Sequence, residues 1–191
     1  MIHTMTLPLV PVDVREVMRY MGCRSADTAT EELVRSAISE ALPLCVGKVC
    51  YGEFPMTISG NTVDMGFAAV ESRSLATHLS GCRLAVVFAA TVGIGIDRLV
   101  ARYGVVSPSR ALCMQALGSE RIESLCDTFE EKICEGRATR SRFSPGYGDL
   151  SLDLQRDIMS VLEAHKRIGV TLNDSLLMSP VKSVSAIIGV K

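Results

Sequence analysis

The chain has 191 residues, 48% hydrophobic and 21% charged, with a formal net charge of -1. That is the composition of a globular chain long enough to bury one real core. The near-zero charge excludes nucleic acid as the main ligand, because phosphate binding needs a basic surplus. The most apolar run, Leu84 to Ile96, is interrupted by glycines and falls short of the ~20 residues of a membrane span. The opening "MIHTMTLPLVPVD" lacks a basic leader. The expectation is therefore a cytoplasmic protein with no membrane partner.

Helical spacing starts at "DVREVMRYM", with Val14, Val17, Met18 and Met21 on one side and Gly22 as the stop. Thr28 and Glu31 read as a capping box for the next helix, whose inner stripe is Leu33, Ala37, Ile38 and Ala41, and which Pro43 ends. "CVGKVCYGEF" reads as a strand, and the turn at Gly60 leads into a second strand that can pair with it as a hairpin. A short helix from Ser72 to Leu79 stops at Gly81. "RLAVVFAAT" is a continuous apolar run and reads as a buried central strand. "GIDRLVARYG" is the next helix, with Gly104 as its C-cap. Pro108 opens a long helix reaching Glu135, with Ile122, Leu125, Cys126, Phe129 and Ile133 inside. A further helix runs from Ser151, its cap, to His165. "IGVTL" and "SVSAIIGV" are short strands around a loop. Irregular alternation of helices and strands predicts an α+β fold.

The seven cysteines, Cys23, Cys45, Cys50, Cys82, Cys113, Cys126 and Cys134, are odd in number and form no C-x-x-C pair. They read as reduced structural thiols, and no metal set is expected. The three histidines are scattered, so no nucleophilic triad stands out.

Four constellations can carry chemistry. Gly93 and Gly95 form a G-x-G opening a helix, but Arg98 stands where a third glycine belongs, so a tight strand-to-helix turn competes with a phosphate cradle. In "RFSPGY", Pro145-Gly146 signals a type II turn that brings Arg142 and Tyr147 together. Arg142 offers a planar fork for a carboxylate or phosphate, and free backbone groups can read a heterocycle. A surface loop with Arg142 paired to a nearby acid fits the same residues. Glu123 flanks the stripe of the long helix beside Leu112, Ala116 and Ser119, whose small side chains leave room; a half-exposed glutamate is the commoner reading. Hydroxyls in "LNDSLLMSPVKSVSAIIGV" can serve only the local backbone. The residues alone favour a binder of a small polar ligand over a hydrolase.

The stretch from Arg142 to Val190 resembles the activation (reactivation) domain of cobalamin-dependent methionine synthase. The resemblance rests on R-x-x-P-G-Y, a following helix, and a second ordered segment: Gly169, Val170, Leu172, Asp174, Ser175, Met178, Pro180, Ser183, Val184, Ser185 and Ala186. It implies a helmet-like α+β domain with a twisted, mostly antiparallel sheet and flanking helices. The chain then reads as one domain over residues 1–191, with a variable helical and hairpin part (1–80) and a motif-bearing part (81–191). It also implies a shallow S-adenosylmethionine groove bounded by Glu123, Arg142, Ser144, Pro145 and Gly146, with Tyr147 facing a cobalamin held by a partner protein. The implied role is a stand-alone, trimmed reactivation factor for a corrinoid methyltransferase such as methionine synthase. It would support reductive remethylation of cob(II)alamin, with the electron from an external reductant such as a flavodoxin. "GDLSLD" after Tyr147 departs from the family's P-A-C-P-x-H. Two alternatives are a docking module that does not use S-adenosylmethionine and a Rossmann-type methyltransferase built on Gly93 and Gly95.

Overall fold

The computed structural model describes residues 1–23 and 27–191. A four-stranded sheet, antiparallel throughout, has the order β1 (Ile2–Leu7), β2 (Gly47–Pro55), β6 (Leu84–Thr91), β9 (Ser183–Val190). Antiparallel strands usually alternate apolar and polar residues because one face is wet. β6 instead reads as a continuous apolar run because both faces are covered. Val86, Phe88 and Ala90 join one core with the long helix α5 (Pro108–Cys134), while Ala85, Val87 and Ala89 join a second with α3 (Arg73–His78) and α6 (Leu154–Val161). In the first core Phe129 of α5 lies 4.7 Å from Phe88 and 5.3 Å from Tyr51, ring centre to ring centre. Truncating a buried phenylalanine in such a cluster costs about 3–5 kcal/mol.

The fold is α+β, with α1 (Val14–Tyr20), α2 (Thr28–Ala41) and α4 (Gly95–Val106) packed around α5. Among the described residues no helix is long and apolar enough to cross a membrane. A buried ion pair fastens the N-terminal crossing to α5. Arg121, fully buried, binds the carboxylate of Glu120 and donates to the carbonyls of Val10 and Pro11, while Glu120 accepts from Asp13 N–H at 3.0 Å.

Several local expectations are corrected. Asp27, not Thr28, caps α2: its carboxylate accepts from Thr30 N–H at 2.7 Å, and Val34 joins the buried stripe. Gly104 lies inside α4; the helix stops at Ser107 (φ -156, ψ 85), because the residue before Pro108 is pushed out of the helical region. The strand at Gly47–Pro55 does not pair with the one after Gly60. Both its edges are taken by β1 and β6, and β3 (Thr57–Ser59), β4 (Thr62–Asp64) and β5 (Ala69–Glu71) form a separate meander, while β7 (Thr171–Leu172) and β8 (Met178–Ser179) pair as a short hairpin. The helix expected from Ser151 to His165 breaks at Glu163, whose φ of +49 starts α7 (Ala164–Arg167) anew. β1 went unread because it is an edge strand burying only Leu7, so its pattern carries little hydrophobic signal.

The Rossmann-type alternative is overturned by the antiparallel sheet. Gly95 is explained by packing: a Cβ there would sit 2.5 Å from the Leu44 carbonyl oxygen. The motif "VGIG" is a tight strand-to-helix passage.

Candidate functional site

β9 is an edge strand, and the outer edge of its N-terminal half is open. Residues 138–143 run beside its C-terminal half: Phe143 and Ile187 exchange both backbone hydrogen bonds (2.8 and 2.9 Å), and Arg140 N–H reaches the Gly189 carbonyl. The chain then leaves the sheet at the Pro145-Gly146 turn. Gly146, at φ +90, supplies the conformation that this turn demands, and Tyr147 N–H closes it on the Ser144 carbonyl at 3.2 Å. Where the chain departs, a groove of about 580 Å³ opens across the edge of the sheet. Ser183, Val184 and Ser185 of β9 are its floor. Glu123 and Glu130 of α5 wall one side and Gln155 of α6 the other, with Arg142, Phe143, Ser144, Tyr147 and Met178 around the rim.

The two sequence motifs therefore meet in one place. Glu123, Arg142, Ser144 and Tyr147 all line the groove, as do Met178, Ser183 and Ser185 of the second motif. Pro145 and Gly146 do not line it; Pro145 is buried and together they form the turn that shapes the rim. Tyr147 is 67% exposed, its ring edge toward Phe143 at 6.4 Å.

Arg142 is not a free cation. Its Nη1 donates to Asp127 (2.6 Å) and Glu130 (2.8 Å), and its Nη2 donates to Glu123 (2.8 Å). Burial works against its charge, but the hydrogen bonds to Asp127, Glu123 and Glu130 outweigh burial and hold the guanidinium well above the usual arginine range. The three carboxylates and one guanidinium of this cluster sum to a formal charge of -2 beside the groove. The same cluster borders a second groove of about 520 Å³, whose lining includes Asp13, Glu16, Tyr20 and Glu131. Asp127 and Glu130 were missed from the sequence, although they follow Glu123 at i+4 and i+7, the repeat of a single helix face. The space expected beside Ala116 and Ser119 is filled by Lys182, whose ammonium donates to Ser119 Oγ at 3.0 Å. Burial lowers the pKa of that lysine. Beneath the cluster, burial pushes the Cys126 thiol up to about 12, so it stays a protonated core residue.

The departing segment "GDLSLD" is an anchor. Asp149 accepts from Ser72 Oγ and from the N–H groups of Arg73 (2.9 Å) and Ser74 (3.0 Å), fastening the loop to the start of α3. Those bonds, the one from Ser72 first, hold its carboxyl well below the usual range. Gly148 permits the approach, since a Cβ there would lie 2.6 Å from Ser74 Oγ. His78 holds the loop from below, its Nε2 2.7 Å from the Ser141 carbonyl oxygen and its ring beside Phe143.

Among the described residues, two buried polar atoms facing this region have no hydrogen-bond partner: Gln155 Oε1 and Ser185 Oγ. Buried polar groups are rarely left unpaired without a reason. The groove has room, donors, acceptors and excess negative charge, which suits a small ligand carrying a cation and a polar heterocycle.

These features define a class: an α+β domain with a ligand-sized groove laid across the open edge of an antiparallel sheet. The same fold is found in the crystal structure of the MetH reactivation domain bound to AdoHcy. That structure matches with a TM-score of 0.75 over 98% of this chain and 78% of its own, at 15% sequence identity. The chain has the fold of the methionine synthase reactivation domain. No protein-family model and no curated protein sequence matches the chain.

Proposed function

We propose that this protein binds S-adenosylmethionine in the edge groove and docks on a corrinoid methyltransferase, methionine synthase or a related protein, to support reductive remethylation of cob(II)alamin. The observation that carries the reading is the convergence of the R-x-x-P-G-Y turn, Glu123 and the Ser183–Ser185 segment on one groove, in a fold shared with a domain crystallised with AdoHcy. S-adenosylmethionine supplies an activated methyl group. The chain's own work is to hold and orient it. The Glu123 and Glu130 carboxylates receive the ligand's ammonium and sulfonium charge. Arg142 keeps those carboxylates in place and has N–H groups left for a polar ligand atom. Ser144 and the Pro145-Gly146 turn set the rim, and exposed Tyr147 faces the cobalamin of the partner. The electron comes from an external reductant such as a flavodoxin. The protein acts in the cytoplasm.

The deciding experiment mixes the protein with a cobalamin-dependent methionine synthase in the cob(II) form, S-adenosylmethionine and a reductant, and follows the corrinoid spectrum. Faster methylcobalamin formation is expected; an unchanged rate overturns the role. A second reading, a corrinoid-docking module that does not use S-adenosylmethionine, is favoured by one observation: Arg142 is already engaged by three carboxylates. Calorimetry separates the two, because the docking module binds no S-adenosylmethionine either alone or with the corrinoid protein.

A further inference from the structure

The sheet has two edges, and the candidate groove lies across only one of them. At the other, β1 pairs with β2 on its inner side, and among the described residues no strand pairs on its outer side. The direction of its backbone groups follows from the opposite edge. Ile187 exchanges both backbone bonds with Phe143, so it turns away from β6. Directly opposed residues alternate between bonded and non-bonded pairs along an antiparallel ladder. The registers Ile187↔Val87, Val87↔Gly52 and Gly52↔Ile2 carry that alternation across the sheet. Val87 and Gly52 bond each other, so Ile2 faces outward, and with it Thr4 and Thr6. Each offers an N–H and a C=O to a strand laid alongside. Edge strands are commonly guarded by a charged side chain, a proline or a bulge. β1 carries no lysine, arginine, aspartate, glutamate or proline, and its register with β2 is unbroken. Thr4 and Thr6 are exposed. Pro8, which has no N–H for a ladder, ends the strand.

This edge is complementary to itself. Antiparallel pairing about a two-fold axis at Thr4 sets Thr4 of one copy opposite Thr4 of the other, and Ile2 opposite Thr6. Every outward N–H and C=O of β1 then meets its counterpart in an ordinary antiparallel ladder. The non-bonded pairs are His3 with Met5 and Met1 with Leu7, so no like charges are opposed. The last pair joins a projection to a recess. Met1 is 96% exposed. Beside Leu7 lies an apolar recess of about 370 Å³, lined with Pro8, Leu9, Leu42 and Val46. Directly opposed side chains share a sheet face, so this pairing brings Met1 of one copy to the recess of the other. We propose that β1 is a self-association edge, through which two copies of this chain form a two-fold dimer and join two four-stranded sheets into one continuous sheet. Both β9 edges lie at the outer ends of that sheet, so each candidate groove stays open. The dimer does not depend on what the groove binds.

The test is sedimentation equilibrium of the untagged protein over a concentration series reaching roughly 100 µM, joined to amide hydrogen exchange. A species of twice the 20.6 kDa chain mass is expected. The N–H groups of Ile2, Thr4 and Thr6 should gain protection as concentration rises. Those of His3 and Met5, bonded to β2 in monomer and dimer alike, should not. Thr4→Lys sets two ammonium groups against each other at the axis and is expected to weaken the dimer at least ~10-fold. Thr4→Pro removes an outward donor that β2 does not use and is expected to leave only the single chain. Circular dichroism shows that each variant is folded. A single-chain mass at every concentration overturns the proposal, and that measurement needs no variant to fold. A dimer that folded Thr4→Lys leaves unchanged, or that forms without protecting Ile2, Thr4 and Thr6, uses another surface and overturns it as well.

Discussion

Arg142 and Glu123, 19 residues apart in the chain, meet in the lining of the groove at 2.8 Å. Both were expected to hold a ligand, and each is first of all the other's partner. The pair draws in Asp127 and Glu130, so one guanidinium organises a carboxylate cluster on one face of α5.

Removing Arg142 therefore acts on stability before it acts on binding. Arg142→Ala leaves three carboxylates facing one another. Charge-assisted hydrogen bonds are worth about 1.5–3 kcal/mol when sheltered, but Asp127 is exposed and Glu123 only half-buried, so solvent screens them. A loss of about 1–2 kcal/mol in urea unfolding is expected, with part of it recovered when Glu123→Gln is added. Full additivity of the two changes would contradict a shared cluster.

The excess negative charge predicts a charge preference. S-adenosylmethionine, which carries a sulfonium, should bind more tightly than S-adenosylhomocysteine, which does not. The gap should narrow as salt is raised, because exposed charges are screened beyond about 10 Å at 0.1 M. Calorimetry at two ionic strengths checks this, and a salt-independent gap speaks against the carboxylates as its source.

Asp149 makes the loop acid-sensitive. Its carboxyl is depressed in the folded state, so the stability it provides is fully present above the ordinary aspartate pKa of about 3.9. That stability is lost as pH falls from there through the folded value. Asp149→Asn should lower the melting temperature at pH 7, and the difference from the unmodified protein should shrink as the pH is taken below about 4. Melting curves across that range decide it, and a constant difference refutes the assignment.

Arg121 and Glu120 predict a contrast between breaking and replacing a buried pair. Arg121→Met alone strands the Glu120 charge and should cost about 3–5 kcal/mol. Adding Glu120→Leu should return much of that loss, since a well-packed apolar pair of similar volume is often neutral relative to a buried ion pair. Chemical denaturation of the single and double variants measures it.

Tyr147 separates folding from function. Its ring is mostly solvent-exposed, so Tyr147→Ala should change stability by no more than about 0.5 kcal/mol. Under the proposed function it should slow remethylation of the corrinoid partner, read from the cobalamin spectrum, while S-adenosylmethionine affinity holds.

The chain's own order made the core legible. The continuous run at Leu84–Thr91 declared a doubly covered strand, and the stripe from Ile122 to Phe129 declared the helix across it. Pro145-Gly146 specified its turn because only a positive φ fits there. These are local signals, written in period and in backbone preference. What the tertiary structure decided lies between elements distant in sequence. Whether the strand at Gly47–Pro55 turns back on the segment after Gly60 or joins β1 and β6 depends on which edges are free. Whether Arg142 meets solvent or three carboxylates depends on where α5 passes. Asp149 became an anchor because α3 starts beside it, 77 residues from Ser72. Ser185 in sequence is one serine in a strand; only the tertiary structure buries its hydroxyl without a partner among the described residues. Periodicity fixes which face of an element is buried, because burial follows the repeat. It carries no record of which polar groups go unanswered, because that depends on everything else that packs against them.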